Sequence, residues 1–334
     1  MSTRSAGRAV WSWALYDFAN SPFTTLVVTF VYATYFTQAI AADPIHGTAL
    51  WSRGVTATAV VVALLSPLLG ALADRGGYRK ALIAGFTWLC IAATAALYFV
   101  QPGQVTAALA LFVLANVAFE LADVFYNAFL PDLVPQSRIG RVSGLGWGMG
   151  YVGGLLALAV ALVTLVQPEM PWFGFVHADG ESIRATNLLV AAWFGIFSVP
   201  LLLFVHERRP KSRPPQHVVR NALAQLRRTF GEIRKYRQVA RFLLARLVYN
   251  DALVTIFAFG GIYAAETFGF SLPEVLQFGI VVNVAAGLGA FAMGYLDDYI
   301  GGKRTIVVSL LGLILGGRAR GSGDGRTRVM QNSI

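Results

Sequence analysis

Charge is what this sequence has least of. Only 13% of its 334 residues are Asp, Glu, Lys or Arg, against about 25% in an ordinary soluble domain. A soluble all-helical core is thereby disfavoured, because such a core still needs a charged surface. Cysteine is nearly absent too. Cys90 is the only one, which excludes an intrachain disulfide and a cysteine metal cluster. The four histidines, His46, His177, His206 and His217, fall in polar connecting stretches without ligand spacing, so no metal site is expected. There is no phosphate-cradling glycine loop followed by Lys, and no Ser-His-Asp order, so neither ATP-driven pumping nor hydrolysis has support. The chain is read as a non-enzyme without cofactors.

Long apolar runs are what the sequence has instead. Nine hydrophobic segments fall near 10–38, 54–73, 81–100, 105–130, 143–166, 187–205, 242–265, 275–296 and 305–316. Most are long enough to cross about 30 Å of hydrocarbon. The first is too long for a signal-peptide core of about 7–15 residues and carries Asp17 and Asn20, so it reads as a retained helix. Basic residues are strongly sided. With the N-terminus in the cytoplasm, 20 Lys and Arg lie on that side and two, Arg53 and Arg184, on the other, which sets the orientation. An anionic inner leaflet is the matching lipid partner.

Four regions follow. Residues 1–205 form a six-helix half, and 242–316 form part of a second half. Between them, 206–241 is a basic linker in which Val219, Leu223, Leu226, Phe230 and Ile233 recur at helical spacing among arginines. Such a helix suits an anionic membrane surface better than a nucleic acid. The last region, 317–334, is rich in Gly and Arg, and its abrupt change of composition suggests a shifted reading frame. The ninth segment has about 12 apolar residues, roughly 18 Å of helix. The second half is therefore expected to be incomplete, and the 334-residue chain is not expected to transport by itself.

One loop occurs twice. Gly70, Asp74, Arg75, Gly77, Arg79 and Lys80 join segments two and three. Gly294, Asp298, Gly301, Gly302, Lys303 and Arg304 join segments eight and nine, 224 residues later. Tyr299 replaces the basic residue that follows the Asp in the first copy. Repeated halves are common in secondary transporters.

These loops resemble the signature loop of the major facilitator superfamily. Two further stretches narrow the likeness: Trp13-Ala-Leu-Tyr-Asp17-Phe-Ala-Asn20-Ser21-Pro22-Phe23, and Phe125-Tyr-Asn127-Ala-Phe-Leu-Pro131 leading to the glycines between Gly140 and Gly154. Together they resemble the vacuole-effluxer-like family, whose best-known members export amino acids from the fungal vacuole and serve autophagy. The resemblance covers about residues 9–316. It implies an all-α polytopic facilitator fold and secondary transport of small polar solutes, amino acids among them, by alternating access. In that superfamily the loop Asp latches the inner gate, which assigns this role to Asp74 and Asp298. Asp298 is expected to meet the start of helix five, around Arg141–Ser143. A bacterial plasma membrane is the expected location.

Polar residues inside the apolar segments are the candidates for chemistry. Asn116, Glu120, Asp123 and Asn127 are spaced to share one face of the fourth helix, and two carboxylates on such a face cannot front lipid. Either they form a structural network or they line a substrate or proton path. Asp17 and Asn20, with Ser21, bring polarity to the first helix, where Pro22 is expected to bend it. Arg246, Asn250 and Asp251 occupy the seventh. Arg246 should pair with an embedded acid or with a substrate carboxylate. The glycines of the fifth segment, Gly146 and Gly150 among them, allow close helix packing. Other readings remain open at this level: a proton-coupled transporter of sugars or drugs, or a non-transporting membrane sensor on the same fold. Proton coupling through Glu120 has a direct check. Glu120→Gln in a reconstituted full-length protein should abolish the pH dependence of transport, and unchanged pH dependence would refute the role.

Overall fold

The computed structural model describes residues 3–207, the helix 237–250 with a few isolated positions around it, and residues 272–315. The side chains of 3–6, 71–72, 74–76 and 272–279 are not among those described. Every long element is a helix: α1 (Thr3–Pro22, wound on to Ile40), α2 (Pro44–Gly76), α3 (Arg79–Ala96), α4 (Val105–Ala128), α5 (Ile139–Ala161), α6 (Glu181–Phe204), α7 (237–250), α8 (Leu272–Ile300) and α9 (302–315). Among the described residues there is no strand, and seven helices are long and apolar enough to cross a membrane. Their outward faces carry apolar side chains such as Leu64, Val163 and Ile196, each at least 60% exposed. A lipid phase is the solvent for such faces.

The first six helices pack side by side in the order α2, α4, α3, α6, α1, α5, and α8 packs against α5. Local signals set the boundaries. Asp43 accepts the amide of His46 at 2.8 Å and Pro44 follows it, an N-cap with proline in the first turn. Helix α2 therefore starts ten residues before the apolar segment expected near 54–73. It ends at Gly77, whose φ of +66° closes the left-handed cap, with its N–H donating to Ala73 O. That is a tight turn of the kind glycine permits. Gly70 is different: no described atom lies within 4 Å of where its Cβ would stand, so it is not a point of close helix packing here.

Pro22 changes the winding of α1. Proline has no N–H, so the Phe18 carbonyl one turn earlier loses its helical partner. The Trp193 indole of α6 donates to that carbonyl at 3.1 Å. From Phe23 to Phe30 the helix then runs in the wider π form, and again from Phe36 to Ile40. Val31 N–H reaches Leu26 O at 2.9 Å and Ala41 N–H reaches Phe36 O at 2.9 Å, bonds five residues long. Wider turns of this kind are frequent at functional sites.

Helix α5 carries glycine on two faces. On one, Gly146, Gly150, Gly153 and Gly154 lie against Asp17, Ser21, Phe18 and Thr25 of α1. On the other, Gly140, Gly144 and Gly148 lie against α8, where Gly294 meets Gly140 and Gly144. A Cβ at Gly144 would stand 2.6 Å from Ala290 O, and one at Gly294 2.6 Å from Gly140 O. Backbone cannot yield there as a side chain can, and overpacking of this kind costs about 1–3 kcal/mol. Gly144→Val is therefore expected to lower the melting temperature in detergent by several degrees. Gly70→Val, facing open space, is the control and should leave it nearly unchanged. Equal melting of Gly144→Val and the parent chain would contradict the close contact.

Candidate functional site

An aromatic buttress fixes the first helix before any polar residue is placed. Trp13 stacks on Tyr126 of α4 with ring centroids 4.5 Å apart, and its indole donates to Tyr126 O at 3.0 Å. Tyr16 stacks on the other side of Tyr126 at 4.9 Å, with its hydroxyl 2.6 Å from that of Thr87 on α3. With Trp13 and Tyr16 turned into protein, the rest of the α1 motif, Asp17, Asn20 and Ser21, faces α5 and a cavity of about 820 Å³. Gly146 is what admits Asp17, since a Cβ there would stand 2.7 Å from its Oδ2.

The cavity lies among α1, α4 and α5, with Ile280 and Asn283 of α8 on its rim. Glu120, Asp123 and Asn127 of α4 line it, and Asn127 Nδ2 donates to Asp123 Oδ2 at 2.8 Å. Along the π-helical part of α1, Thr24, Thr25, Thr29 and Gln38 line it as well. Thr24 and Thr25 donate to Ser21 O at 2.9 and 3.0 Å, so their side chains serve the loosened backbone.

The expected polar stripe of α4 divides. Three of its members face the cavity, whereas Asn116 is buried at 6% exposure and does not line it. Helical spacing placed the four on one face, but the cavity ends before that turn and protein packs against it. On α7, Arg246 and Asn250 are exposed and lie outside the cavity wall, and Arg246 makes no ion pair among the described residues. The expectation that Arg246 pairs with an embedded acid is thus not met among those residues. Asp251 lies outside them.

The two loop copies differ in what they hold. In the second, Asp298 accepts the Gly140 amide at 2.9 Å, the Arg141 amide at 3.1 Å and Arg141 Nε at 2.7 Å. These are the orphan donors of the first turn of α5, where the helix dipole also favours an anion. Arg141 further lies 5.6 Å over the Tyr295 ring, and Gly301, at φ +85°, turns the chain into α9. At the first copy, Glu207, just beyond α6, caps the start of α3. It accepts the Arg79 amide at 2.8 Å and the Lys80 amide at 3.2 Å. Arg79 binds Asp132 beyond α4 at 2.8 Å. The side chains of Asp74 and Arg75 are not among those described. Lys303 and Arg304 begin α9 at the same end of the bundle.

One functional candidate was hidden in the sequence. In the sequence Arg184 looks like an ordinary loop cation before the sixth apolar segment, yet it lies in the first turn of α6 and is only 5% exposed. Its Nε donates to Tyr98 O at 3.0 Å and its Nη1 to the Tyr35 hydroxyl at 3.2 Å. Tyr35 Oη donates in turn to Asp179 O at 2.8 Å. Tyr35 lines the cavity, so this cluster forms its wall at the end opposite Asp298. The only clue in the sequence was its neighbourhood of Asp179, Gly180 and Glu181, a turn that needs the left-handed backbone seen at Asp179 and Gly180.

Comparison with known proteins agrees with this architecture. The "Uncharacterized MFS-type transporter YxiO" of Bacillus subtilis is 31% identical over 306 residues, covering 90% of this chain and 70% of that one. The "Autophagy-related protein 22" of Coccidioides immitis is 21% identical over 310 residues, covering 72% of this chain and 49% of its own length. Among solved structures, the proton:xylose symporter XylE bound to 6-bromo-6-deoxy-D-glucose superposes with a TM-score of 0.63 at 14% identity, over 89% of this chain and 70% of XylE. That likeness shows the fold.

The Asp298 contact has a consequence that can be measured. In a background where Cys90, which is buried, is replaced by Ala, Ser143→Cys should react slowly with a polar maleimide. Adding Asp298→Asn should speed the reaction at least tenfold, by loosening the α5–α8 end. No change in rate would show that Asp298 does not hold that end closed. Residues 44–316 match the family described as "Vacuole effluxer Atg22 like", and with the relatives and fold above the chain belongs to that family of major facilitator membrane transporters, which are not enzymes.

Proposed function

We propose that the chain is the solute-binding part of a secondary transporter that moves small polar solutes, amino acids among them, by alternating access, with export as the direction. The observation that carries this reading is the cavity itself. Asp17, Glu120 and Asp123 lie within apolar helices and yet front a shared space. Carboxylates at such depth are expensive and mark a ligand or ion path. A sensor on the same fold would have no use for that cost.

The cavity runs at one end towards the contact where Asp298 binds α5 and Gly294 meets Gly140 and Gly144, a contact suited to closing that end. It extends along α1 towards Gln38 and along α5 towards Val166 at the other. The basic excess at the Asp298 end assigns that end to the cytoplasm, in a bacterial plasma membrane. Asp298 is then the inner latch and Arg184 with Tyr35 the outer wall, so the described conformation faces outward. Protons are a fitting coupling ion, through Glu120 and Asp123. The family's autophagy-related members support amino acids over sugars or drugs as the solute class. Because the chain spans 70% of the Bacillus relative and 49% of the Coccidioides relative, binding and gating are the properties to test in it.

In nanodiscs the purified chain should bind at least one amino acid saturably. At saturation, reactivity should fall at Thr34→Cys and rise at Ser143→Cys, both in the Cys90→Ala background. Absence of saturable binding for every amino acid tested, in a folded monodisperse sample, would overturn the solute reading. Binding that leaves both reactivities unchanged would overturn alternating access.

A further inference from the structure

The charge balance of the cavity points to the kind of group it takes. Among the described residues, three carboxylates line it and no lysine, arginine or histidine does. Neither Asp17 nor Asp123 makes an ion pair with a base among the described residues. Asp123 has one oxygen occupied by Asn127 and the other without a hydrogen bond among the described residues. A second, independent feature lies beside them. Asn20 is only 4% exposed and lines the same wall, and its side-chain amide has no hydrogen-bond partner among the described residues. A buried amide left open towards a cavity is costly unless something that enters satisfies it.

Aromatic faces complete the set. Trp147 and Tyr151 of α5 line the cavity one helical turn apart, with ring centroids 6.4 Å from each other. Such rings attract a cation and accept an apolar body. An anionic solute would instead face three carboxylates with no base among the described residues to offset them.

We propose that Asp17, Asn20 and Asp123 form an ammonium subsite, and that the cavity selects organic amines carrying an apolar body, net cations over anions. The ammonium donates to Asp17, to the open Asp123 oxygen and to the Asn20 side-chain carbonyl. Trp147 and Tyr151 lie against the rest of the molecule. Bound charge then offsets the embedded carboxylates, whose repulsion the empty site otherwise leaves in place. The inference rests on the transport reading and narrows its substrate class.

Three compounds of nearly one shape separate the charges: phenylalaninamide, a cation; phenylalanine, a zwitterion; and 3-phenylpropionate, an anion. Binding to the purified 334-residue chain in nanodiscs is measured at pH 6, where the α-amine of the amide is protonated and the propionate is ionised, by isothermal titration. The expected order is phenylalaninamide tightest, at least tenfold over 3-phenylpropionate, with phenylalanine between them. Asp17→Asn and Asp123→Asn should each weaken phenylalaninamide at least tenfold. The parent ranking stands even if a variant fails to fold. Equal or tighter binding of 3-phenylpropionate, or folded variants that keep phenylalaninamide affinity, would overturn the subsite. If phenylalaninamide does not bind while other amino acids do, the subsite falls and the transport reading survives. If no solute binds, both fall.

Discussion

Everything in this structure depends on how closely α5 approaches two other helices at once. With apolar tails as solvent, helices gain little by hiding apolar surface from each other, so association rests on close packing and hydrogen bonding. Helix α5 meets that requirement by giving up side chains. One glycine face seats it on α1 and admits the Asp17 carboxylate at Gly146. The other seats it on α8, where Gly294 and the Ala290 carbonyl leave no room for a Cβ. The Asp17 wall of the cavity and the α5–α8 contact are thus consequences of one helix's composition.

Polarity is then distributed by what that packing leaves over. Along α1, Trp13 and Tyr16 face protein and hold Tyr126 between them, which turns Asp17 and Asn20 to the cavity. Pro22 frees the Phe18 carbonyl for Trp193 and starts the wider winding whose threonines line the same space. At the ends, charge replaces apolar packing. Carboxylates of Asp298 and Glu207 cap the first turns of α5 and α3, and the buried Arg184 holds Tyr35 at the opposite wall.

Much of this is legible in the sequence because the signals are local. The apolar runs, the repeated loop, the glycines of the fifth segment and the proline of the first all act within a few residues of themselves. Asp298 meets the start of α5, as the resemblance to the facilitator loop implies. The polar stripe of α4 is legible as a face, but periodicity cannot say where a cavity stops, and Asn116 falls beyond its edge. Arg184 is illegible for a related reason: its burial comes from Tyr35 and Tyr98, 149 and 86 residues away. Arg246 is exposed and stands outside the cavity lining among the described residues, a placement that its apolar neighbourhood in sequence does not reveal. The start of α2 at Pro44 was visible in Asp43 and Pro44, yet hydropathy alone passes over it.

Hydrogen exchange across residues 139–146 tests the account most directly. The first amides of a helix have no partner within it and ordinarily exchange fast, but those of Gly140 and Arg141 are bound by Asp298. In the parent chain in nanodiscs these amides should exchange at least tenfold more slowly than in Asp298→Ala. Equal, fast exchange in both proteins would show that α5 and α8 are not held together there, and the closure proposed for that end of the cavity would be lost with them.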